Sequence, residues 1–306
     1  MGYDQMFKSI LRRFLREFLE LFFPSVAARL DFESVALVDK ELFKGFPDGV
    51  LRSPDFVARV KTREGKPEIV MVHVEAQTKT NPGFGRRMFE YYALLWLATD
   101  LPVLPVALFV RKRAREGIET AVYRQELFES EVMRFQYRTV ALARIEGEEY
   151  VERGPLAAGL SAFMRFRRDA DRLELRARLL LRIVTSDLDD EAQFLLGNLI
   201  ETRFPVPQAE LDRYRRLVSR KEYRKVQDVE LTWADKVRLE GVKEGLQEGL
   251  LRGKRETLKR LLASRFGPLS VRAETRIDAL ASVEELDSCF DRGLTAGSLA
   301  ELGLDG

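Results

Sequence analysis

Cysteine and histidine are almost missing from the chain: among 306 residues there is one of each, Cys289 and His73. A single cysteine excludes an intrachain disulfide and a zinc site built from several cysteines. A single histidine excludes a multi-histidine metal centre and a two-histidine mechanism. Any metal site must therefore depend mainly on carboxylates, the ligand type that suits magnesium and manganese.

The sequence also lacks a long apolar run and a strong excess of one charge. No segment approaches the roughly 18 apolar residues that predict a transmembrane helix. The N-terminal residues FKSILRRFLREFLELFF carry charges throughout, which is not typical of a secretory signal. Charged residues make up 33% of the chain, yet the net charge is only +2, so a nucleic-acid contact would need local clusters. We expect a cytoplasmic protein with no membrane partner.

Residues 4–23 have the spacing of an amphipathic helix that ends at Pro24. The apolar positions of this helix are Phe7, Ile10, Leu11, Phe14, Phe18, Leu21 and Phe22. Such a helix either packs on the core of its own chain or lies on a membrane surface. We favour packing on the core.

The first half of the chain reads as an α/β domain with a mixed central sheet flanked by helices. Two strand-like segments separated by a turn at Gly65 predict a hairpin, and a helix and another strand follow them. The predicted strands are 53–61, 67–77, 102–110, 119–124 and 131–142, and the predicted helix is 84–98. We expect this domain to cover residues 1–150.

The strand pattern stops after about residue 155, and we expect a helical, basic linker region over residues 151–230. Arginine is concentrated in residues 165–182 and again in residues 213–225, RYRRLVSRKEYRK. Basic helices can contact phosphates, although many are simply solvated surfaces. The second stretch is the better candidate because it also contains Tyr214 and Tyr223.

Residues 231–306 form the third predicted region, an α-helical one that begins with a glycine repeat. In EGVKEGLQEGLLRG, residues 240–253, a glycine recurs every four positions. Each glycine costs a helix about 1 kcal/mol relative to alanine, so four of them need a reason. Close approach of a partner helix is one reason and a soft linker is another; we favour an oligomerising helix. We expect breaks after it at Phe266-Gly267-Pro268 and at Gly293.

The segment VMVHVEAQTK, residues 70–79, combines an apolar strand with an acid and an amide. Since side chains alternate along a strand, Glu75 and Gln77 share one face with His73, while the valines share the other. A buried carboxylate is costly unless it is paired or bound to metal. The predicted hairpin can bring Asp55 near Glu75, and two carboxylates with waters can hold Mg²⁺. The other interpretation is a solvent-exposed polar face.

Several strings in this half of the chain resemble one family, in order and in spacing. They are LVDKELFK at 37–44, RSPD at 52–55, VHVEAQ at 72–77, FGRRMFEYY at 84–92 and the strand PVLPVALFV. Together they are similar to the Rpn family of recombination-promoting nucleases (YhgA-like putative transposases) in the PD-(D/E)XK nuclease superfamily. The C-terminal part, with LKRLLASRFGPLSVRAETRIDAL, resembles the DUF4351 domain.

This resemblance implies a restriction-endonuclease-like core and assigns roles to single residues. Asp55 and Glu75 would be metal ligands for Mg²⁺ or Mn²⁺. Gln77 would occupy the place of the motif lysine and orient the attacking water, as a hydrogen-bonding amide can do without a positive charge. Lys79 is a possible substitute for the lysine and a possible DNA contact.

Further residues are weaker candidates for the same site. Arg86 and Arg87, at the start of the helix after the motif, are possible DNA contacts, and plain salt bridges are the alternative. Glu41 is a possible third carboxylate. The cluster RKRAR at 111–115 could hold a DNA backbone or form a solvated turn.

Two functions of different classes follow from these residues. The first is a metal-dependent DNA endonuclease that hydrolyses phosphodiester bonds and is linked to recombination or mobile elements. The second is a catalytically inactive module of the same fold that binds DNA or protein and assembles through its C-terminal helices. Gln77, in the place of a lysine, is the feature that supports the second.

Overall fold

The computed structural model describes residues 3–38, 56–75, 83–110, 117–167 and 170–304. Within these ranges it describes only the backbone at residues 3–4, 69–75, 231 and 234–248. Residues 1–229 form one compact unit and residues 230–306 form a second. Each unit is described by itself.

The first unit is built around one six-stranded mixed sheet in the order β1-β2-β3-β4-β6-β5. The strands are β1 (Leu30–Leu37), β2 (Phe56–Thr62), β3 (Pro67–Glu75), β4 (Val103–Phe109), β5 (Ile118–Leu127) and β6 (Ser130–Ala141). Strands β1, β2 and β3 are antiparallel, β4 runs parallel to β3 and β6, and β5 runs antiparallel to β6. The predicted α/β class, mixed sheet and β2–β3 hairpin are confirmed.

The link between β3 and β4 contains helix α3 (Phe84–Thr99), which packs on one face of the sheet. Parallel neighbours need such a crossover because a tight turn cannot join them. The residues buried together in this layer are Val57, Phe84, Met88, Tyr91, Leu95, Ala107, Phe109, Phe135, Tyr137 and Ala141. Val106 and Leu108 alternate with Ala107 and Phe109 and are fully buried too, so both faces of β4 are covered.

Helix α1 (Tyr3–Phe22) packs its apolar side into the first unit. The helix lies against β2 and β3. Its backbone departs from helical geometry at Phe14 (φ −128°, ψ 32°). The Phe7 and Phe163 rings pack edge to face, with 5.5 Å between their centroids. A four-residue helix, α2 (Pro24–Ala27), follows it. The predicted core packing of residues 4–23 is confirmed, because Phe7, Ile10 and Phe18 are almost completely buried. Among the residues described, no helix is long and apolar enough to cross a membrane.

Four more α-helices follow the sheet in the described part of the first unit: α4 (Pro155–Ser161), α5 (Arg172–Val184), α6 (Asp190–Arg203) and α7 (Leu211–Val218). Helix α5 begins at an N-cap, where the Asp171 carboxylate accepts from the backbone N–H groups of Leu173 and Glu174. Its Arg176 is buried, pairs with Glu201 and donates to the Phe204 carbonyl at 2.8 Å. The predicted helical region after residue 155 is confirmed, and its helices pack into the same compact unit as the sheet.

Helix α8 (Arg224–Phe266) runs into the second unit, where α9 (Val271–Ala279) and α10 (Val283–Thr295) pack on its last turns. The shared core contains Leu258, Leu262, Ala273, Ile277, Leu286 and Cys289. A capping box starts α10: Ser282 accepts from the Glu285 N–H, and the Glu285 carboxylate accepts from the Ser282 N–H.

The break that we predicted at Gly293 is wrong, because this glycine lies inside α10. A Cβ at this position would come within 3.1 Å of the Leu262 side chain. The glycine therefore allows α10 to approach α8 closely. The break at Phe266-Gly267 is confirmed: α8 ends at Phe266, and Gly267 has a φ of +84°, a conformation that favours glycine.

Candidate metal and nucleic-acid site

Glu75 is the last residue of β3, at the carboxyl end of a central strand. In the hairpin, Phe56 of β2 pairs with Val72 of β3, three residues before Glu75. On the other side, Glu75 pairs with Phe109, the last residue of the parallel strand β4. The carboxyl ends of parallel strands are where open α/β sheets place their ligands.

The sheet around Glu75 and His73 is not an open surface. Their direct partners on β4 are Phe109 and Ala107, and both side chains are buried beneath α3. The Phe84 ring, at the start of α3, lies 4.9 Å from the Phe109 ring, centroid to centroid. The backbone register therefore places Glu75 and His73 on the face of the sheet that α3 covers.

Several predicted site residues lie outside the described part of the chain. They are the metal ligand Asp55, the motif amide Gln77, the possible substitute Lys79, the possible third carboxylate Glu41 and the cluster at 111–115. Asp55 directly precedes β2 in the sequence, and Gln77 follows β3 by two residues. For these residues the predicted roles stay predictions.

Arg86 and Arg87 lie in the first turn of α3, as predicted. Arg86 is exposed, and its Nε donates to the Glu90 carboxylate one turn later at 2.8 Å. The Arg87 guanidinium carbon lies 5.3 Å from the centre of the Phe84 ring. An exposed i,i+4 ion pair is weak, about 0.3–0.5 kcal/mol, so a phosphate could compete with Glu90 for Arg86. The salt bridge to Glu90 therefore does not prevent Arg86 from making the predicted DNA contact.

Metal ligands form no cluster in the part of the chain whose side chains are described. No group of three or more histidine, cysteine, aspartate or glutamate side chains there is arranged so that it could hold a metal ion. The predicted pair is not covered by this finding, because Asp55 and the Glu75 side chain are outside those residues. The predicted donor set, the carboxylates of Asp55 and Glu75, is of the type that suits a hard divalent cation.

A basic surface runs along α7 and the start of α8. Residues 213–225 expose seven cations, of which Arg213 pairs with Asp171, Arg215 with Asp212, and Arg220 with Glu174 and Glu222. The other four make no ion pair within the described residues: Arg216, Lys221, Arg224 and Lys225. Unpaired surface cations of this kind are available to phosphates.

The two tyrosines of this stretch do not belong to the basic surface. Tyr214 is buried, and its ring centre lies 5.0 Å from the guanidinium carbon of Arg176. Tyr223 is also buried, and its hydroxyl donates a hydrogen bond to the Glu174 carboxylate at 2.5 Å. Burial, together with the Glu174 hydrogen bond, raises the pKa of Tyr223 to about 12. Our interpretation that these rings improve the stretch as a nucleic-acid contact is wrong, because neither ring is available to stack on a base.

The second unit contains an open groove between α8 and α10. Gly249 and Gly253 line one side, Leu286 and Phe290 line the other, and Lys254 pairs with Asp287. A Cβ added at either glycine would meet nothing within 4 Å. The last two glycines of the predicted repeat therefore face space that the described part of this chain leaves open.

Comparisons of the chain with protein-family models, with curated proteins and with solved structures gave no match.

Proposed function

We propose that this protein is a metal-dependent DNA endonuclease of the PD-(D/E)XK type, as the resemblance to the Rpn family implies. The observation that carries the proposal is the register at the end of β3. Glu75 pairs with the buried Phe109 at the carboxyl end of the central strands, and Asp55 directly precedes the antiparallel neighbour β2. The arrangement of strands around α3 also supports it, because a mixed sheet of this kind is what the resemblance implies.

In this proposal Asp55 and Glu75 hold Mg²⁺ or Mn²⁺ as carboxylate ligands. The cation would supply Lewis-acid stabilisation of the phosphate and acidify a bound water. Gln77 positions the attacking water by hydrogen bonding, a role that an amide can fill without charge. Arg86 leaves Glu90 to contact the phosphate backbone, and the four unpaired cations along α7 and α8 hold DNA farther from the cut.

The test is cleavage of plasmid and linear DNA by purified protein with Mg²⁺, Mn²⁺ or EDTA. We expect cutting that needs the metal and is lost in Glu75→Gln and in Asp55→Asn. Glu68→Gln is the matched control, because Glu68 is an acid on the same strand that pairs with Val60, away from the carboxyl end. Failure of the folded wild-type protein to cut, or full activity in Glu75→Gln, would contradict the proposal.

The second candidate function is a catalytically inactive module that binds DNA or protein and assembles through its C-terminal helices. Gln77 favours it, because the amide cannot supply the positive charge of the motif lysine. The open glycine face of α8 favours self-association. Calorimetry separates the two functions: no heat with Mg²⁺ or Mn²⁺, and DNA affinity unchanged in Glu75→Gln, would support the inactive module.

A further inference from the structure

The edge strand β5 has features that neither the nuclease site nor the C-terminal helices explain. It is the last strand of the sheet order and runs for ten residues. Among the residues that the structure describes, no strand pairs with its outer side. Alternate residues of an edge strand direct their N–H and C=O groups outward, where another strand can bind them.

The opposite edge of the sheet is interrupted, whereas β5 is not. In β1 the pairing shifts between Asp31 and Ala36, so that four residues face the single residue Val60 of β2. In the β5–β6 pair the shift adds Val132 to β6, which leaves β5 continuous. The β5 sequence IETAVYRQEL also has no proline or lysine, the residues that often protect an edge.

Exposed apolar side chains are concentrated on the same hairpin. Of the eleven large apolar side chains that are exposed in the described residues, five lie here: Ile118, Val122, Leu127, Phe128 and Val132. Phe128 is the extreme case, with 90% of its surface exposed. Clusters of exposed apolar residues mark interaction surfaces.

The turn between β5 and β6 holds Phe128 in a costly conformation. Leu127 pairs with Ser130, and the two turn residues, Phe128 and Glu129, have φ values of 48° and 66°. Such a turn favours asparagine and glycine, while a non-glycine residue in this region costs about 1–2 kcal/mol. The ring gains almost no burial in its own chain to offset this cost, which points to a contact outside the chain.

We propose that β5 pairs with β5 of a second copy of this chain, antiparallel, about a two-fold axis at Gln125. A two-fold axis perpendicular to the sheet makes the same face of both copies continuous. Residues that pair across the axis are therefore both even-numbered or both odd-numbered. This register forms two Arg124–Glu126 pairs between the copies, one on each side of the axis. It also places Tyr123 opposite Leu127 of the second copy. It also brings Phe128 next to Val122 of the second copy. The inference goes beyond the nuclease proposal and does not depend on it.

Charge decides both the register and the kind of partner. A two-fold centred on Arg124 would place two arginines directly opposite each other, which is unfavourable. Within its own chain Arg124 lies 3.3 Å from Glu131, while Glu126 makes no ion pair with any described residue. The tip also carries more acids than bases, with Glu126, Glu129 and Glu131 against Arg124 and Arg134. A nucleic acid is therefore the poorer partner and a protein surface the better one.

The first experiment is a disulfide cross-link in the full-length protein. In an antiparallel pair, opposite Cα atoms lie about 4.5–5.5 Å apart, within the range for a disulfide. Gln125→Cys, located on the two-fold, should give a covalent dimer on mild oxidation, because the native Cys289 is buried. Thr120→Cys is the matched control: in this register the two copies of Thr120 lie about 34 Å apart and should not cross-link. No dimer from Gln125→Cys, or equal cross-linking from both variants, would overturn the inference.

The second experiment exchanges charges and reads the mass by sedimentation. Arg124→Glu and Glu126→Arg should each weaken the β5 contact roughly tenfold, since each creates two like-charge pairs. An equimolar mixture of the two single variants should form a heterodimer with wild-type affinity, because opposite charges face each other again. If mixing restores nothing while both variants keep the wild-type circular dichroism, the register is wrong. Association through α8 is separable, since these substitutions leave that helix unchanged.

Discussion

At the scale of one residue, Gln77 is where the two proposed functions differ. If its amide positions the water, Gln77→Ala should lower the single-turnover cleavage rate about 10²-fold, the usual effect of removing one such donor. Lys79→Ala should then change the rate little, with Lys79→Gln as its control. The opposite ranking would identify Lys79 as the residue that replaces the motif lysine.

Tyr223 offers a test of the helical core that is independent of activity. Tyr223→Phe removes the hydrogen bond to Glu174 and should lower the free energy of unfolding by about 1 kcal/mol at neutral pH, since Glu174 is partly exposed. Urea unfolding measures this change. Tyr123→Phe is the control, because within the described residues the Tyr123 hydroxyl hydrogen-bonds only to the exposed Gln125 amide, which donates to it at 3.2 Å.

The same tyrosine predicts a dependence on alkaline pH. Burial and Glu174 raise its folded pKa to about 12, so the folded state disfavours the phenolate. The contribution of Tyr223 to stability is therefore complete below pH 10, its ordinary value, and is lost as the pH rises toward 12. The stability difference between wild type and Tyr223→Phe should shrink over that range, and a constant difference would contradict the assignment.

Alternation along a strand is a useful guide to single residues, and composition is a poor one. In β3 the register agrees with the predicted period of two as far as Glu75, since His73 and Glu75 pair with Ala107 and Phe109, while Val72 and Val74 pair with Val106 and Leu108. The tyrosines at 214 and 223 were misjudged because a basic stretch carries no information about which of its residues turn inward. Their burial depends on Arg176 and Glu174, residues of another helix about 40 to 50 positions earlier.

At the scale of elements, the prediction succeeded where local pattern determines structure. The segments predicted at 84–98, 102–110 and 131–142 appear as α3, β4 and β6 within one residue at each end, because apolar period and turn residues bound them. Strand β1 was not predicted. Its LDFESVAL has no clear alternation, and four of its residues belong to the irregular pairing with β2. Strand order was also beyond the sequence, since pairing between distant strands leaves no local signal.

Helix α8 provides the prediction at this scale. Gly249→Ala should stabilise the chain by up to about 1 kcal/mol, since the new Cβ meets nothing within 4 Å and alanine is the better helix former. If the glycines allow a second helix to approach, the same substitution should weaken self-association, as seen in the concentration dependence of mass. Gly293→Ala is the contrasting variant and should destabilise, because its Cβ would crowd Leu262 at 3.1 Å.

For the whole molecule, the proposed contact between the basic surface and DNA predicts how affinity should depend on salt. Glutamine substitutions at the four unpaired cations should reduce the slope of log K against log salt concentration by about 3 to 4, because each phosphate contact contributes about 0.9 to the slope. The four residues are Arg216, Lys221, Arg224 and Lys225. Fluorescence anisotropy with duplex DNA measures the slope. The control neutralises four paired cations, Arg165, Arg178, Lys254 and Lys259, which changes the net charge equally. Equal slopes in the two variants would show that the surface does not contact DNA.

The position of β4 between two parallel neighbours has a consequence for synthesis on the ribosome. Ile69 of β3 pairs with Val103, and Val106 of β4 pairs with Arg138 of β6, so β4 has no partner close in sequence. The β2–β3 hairpin can form early, and β4 can pair with β3 once it has left the exit tunnel, but the other edge of β4 has no partner until β6 ends at residue 141. Until then its segment VLPVALF exposes an apolar edge to other nascent chains. Slow translation between residues 110 and 141 would prolong that exposure, and chaperone binding should be strongest in this window.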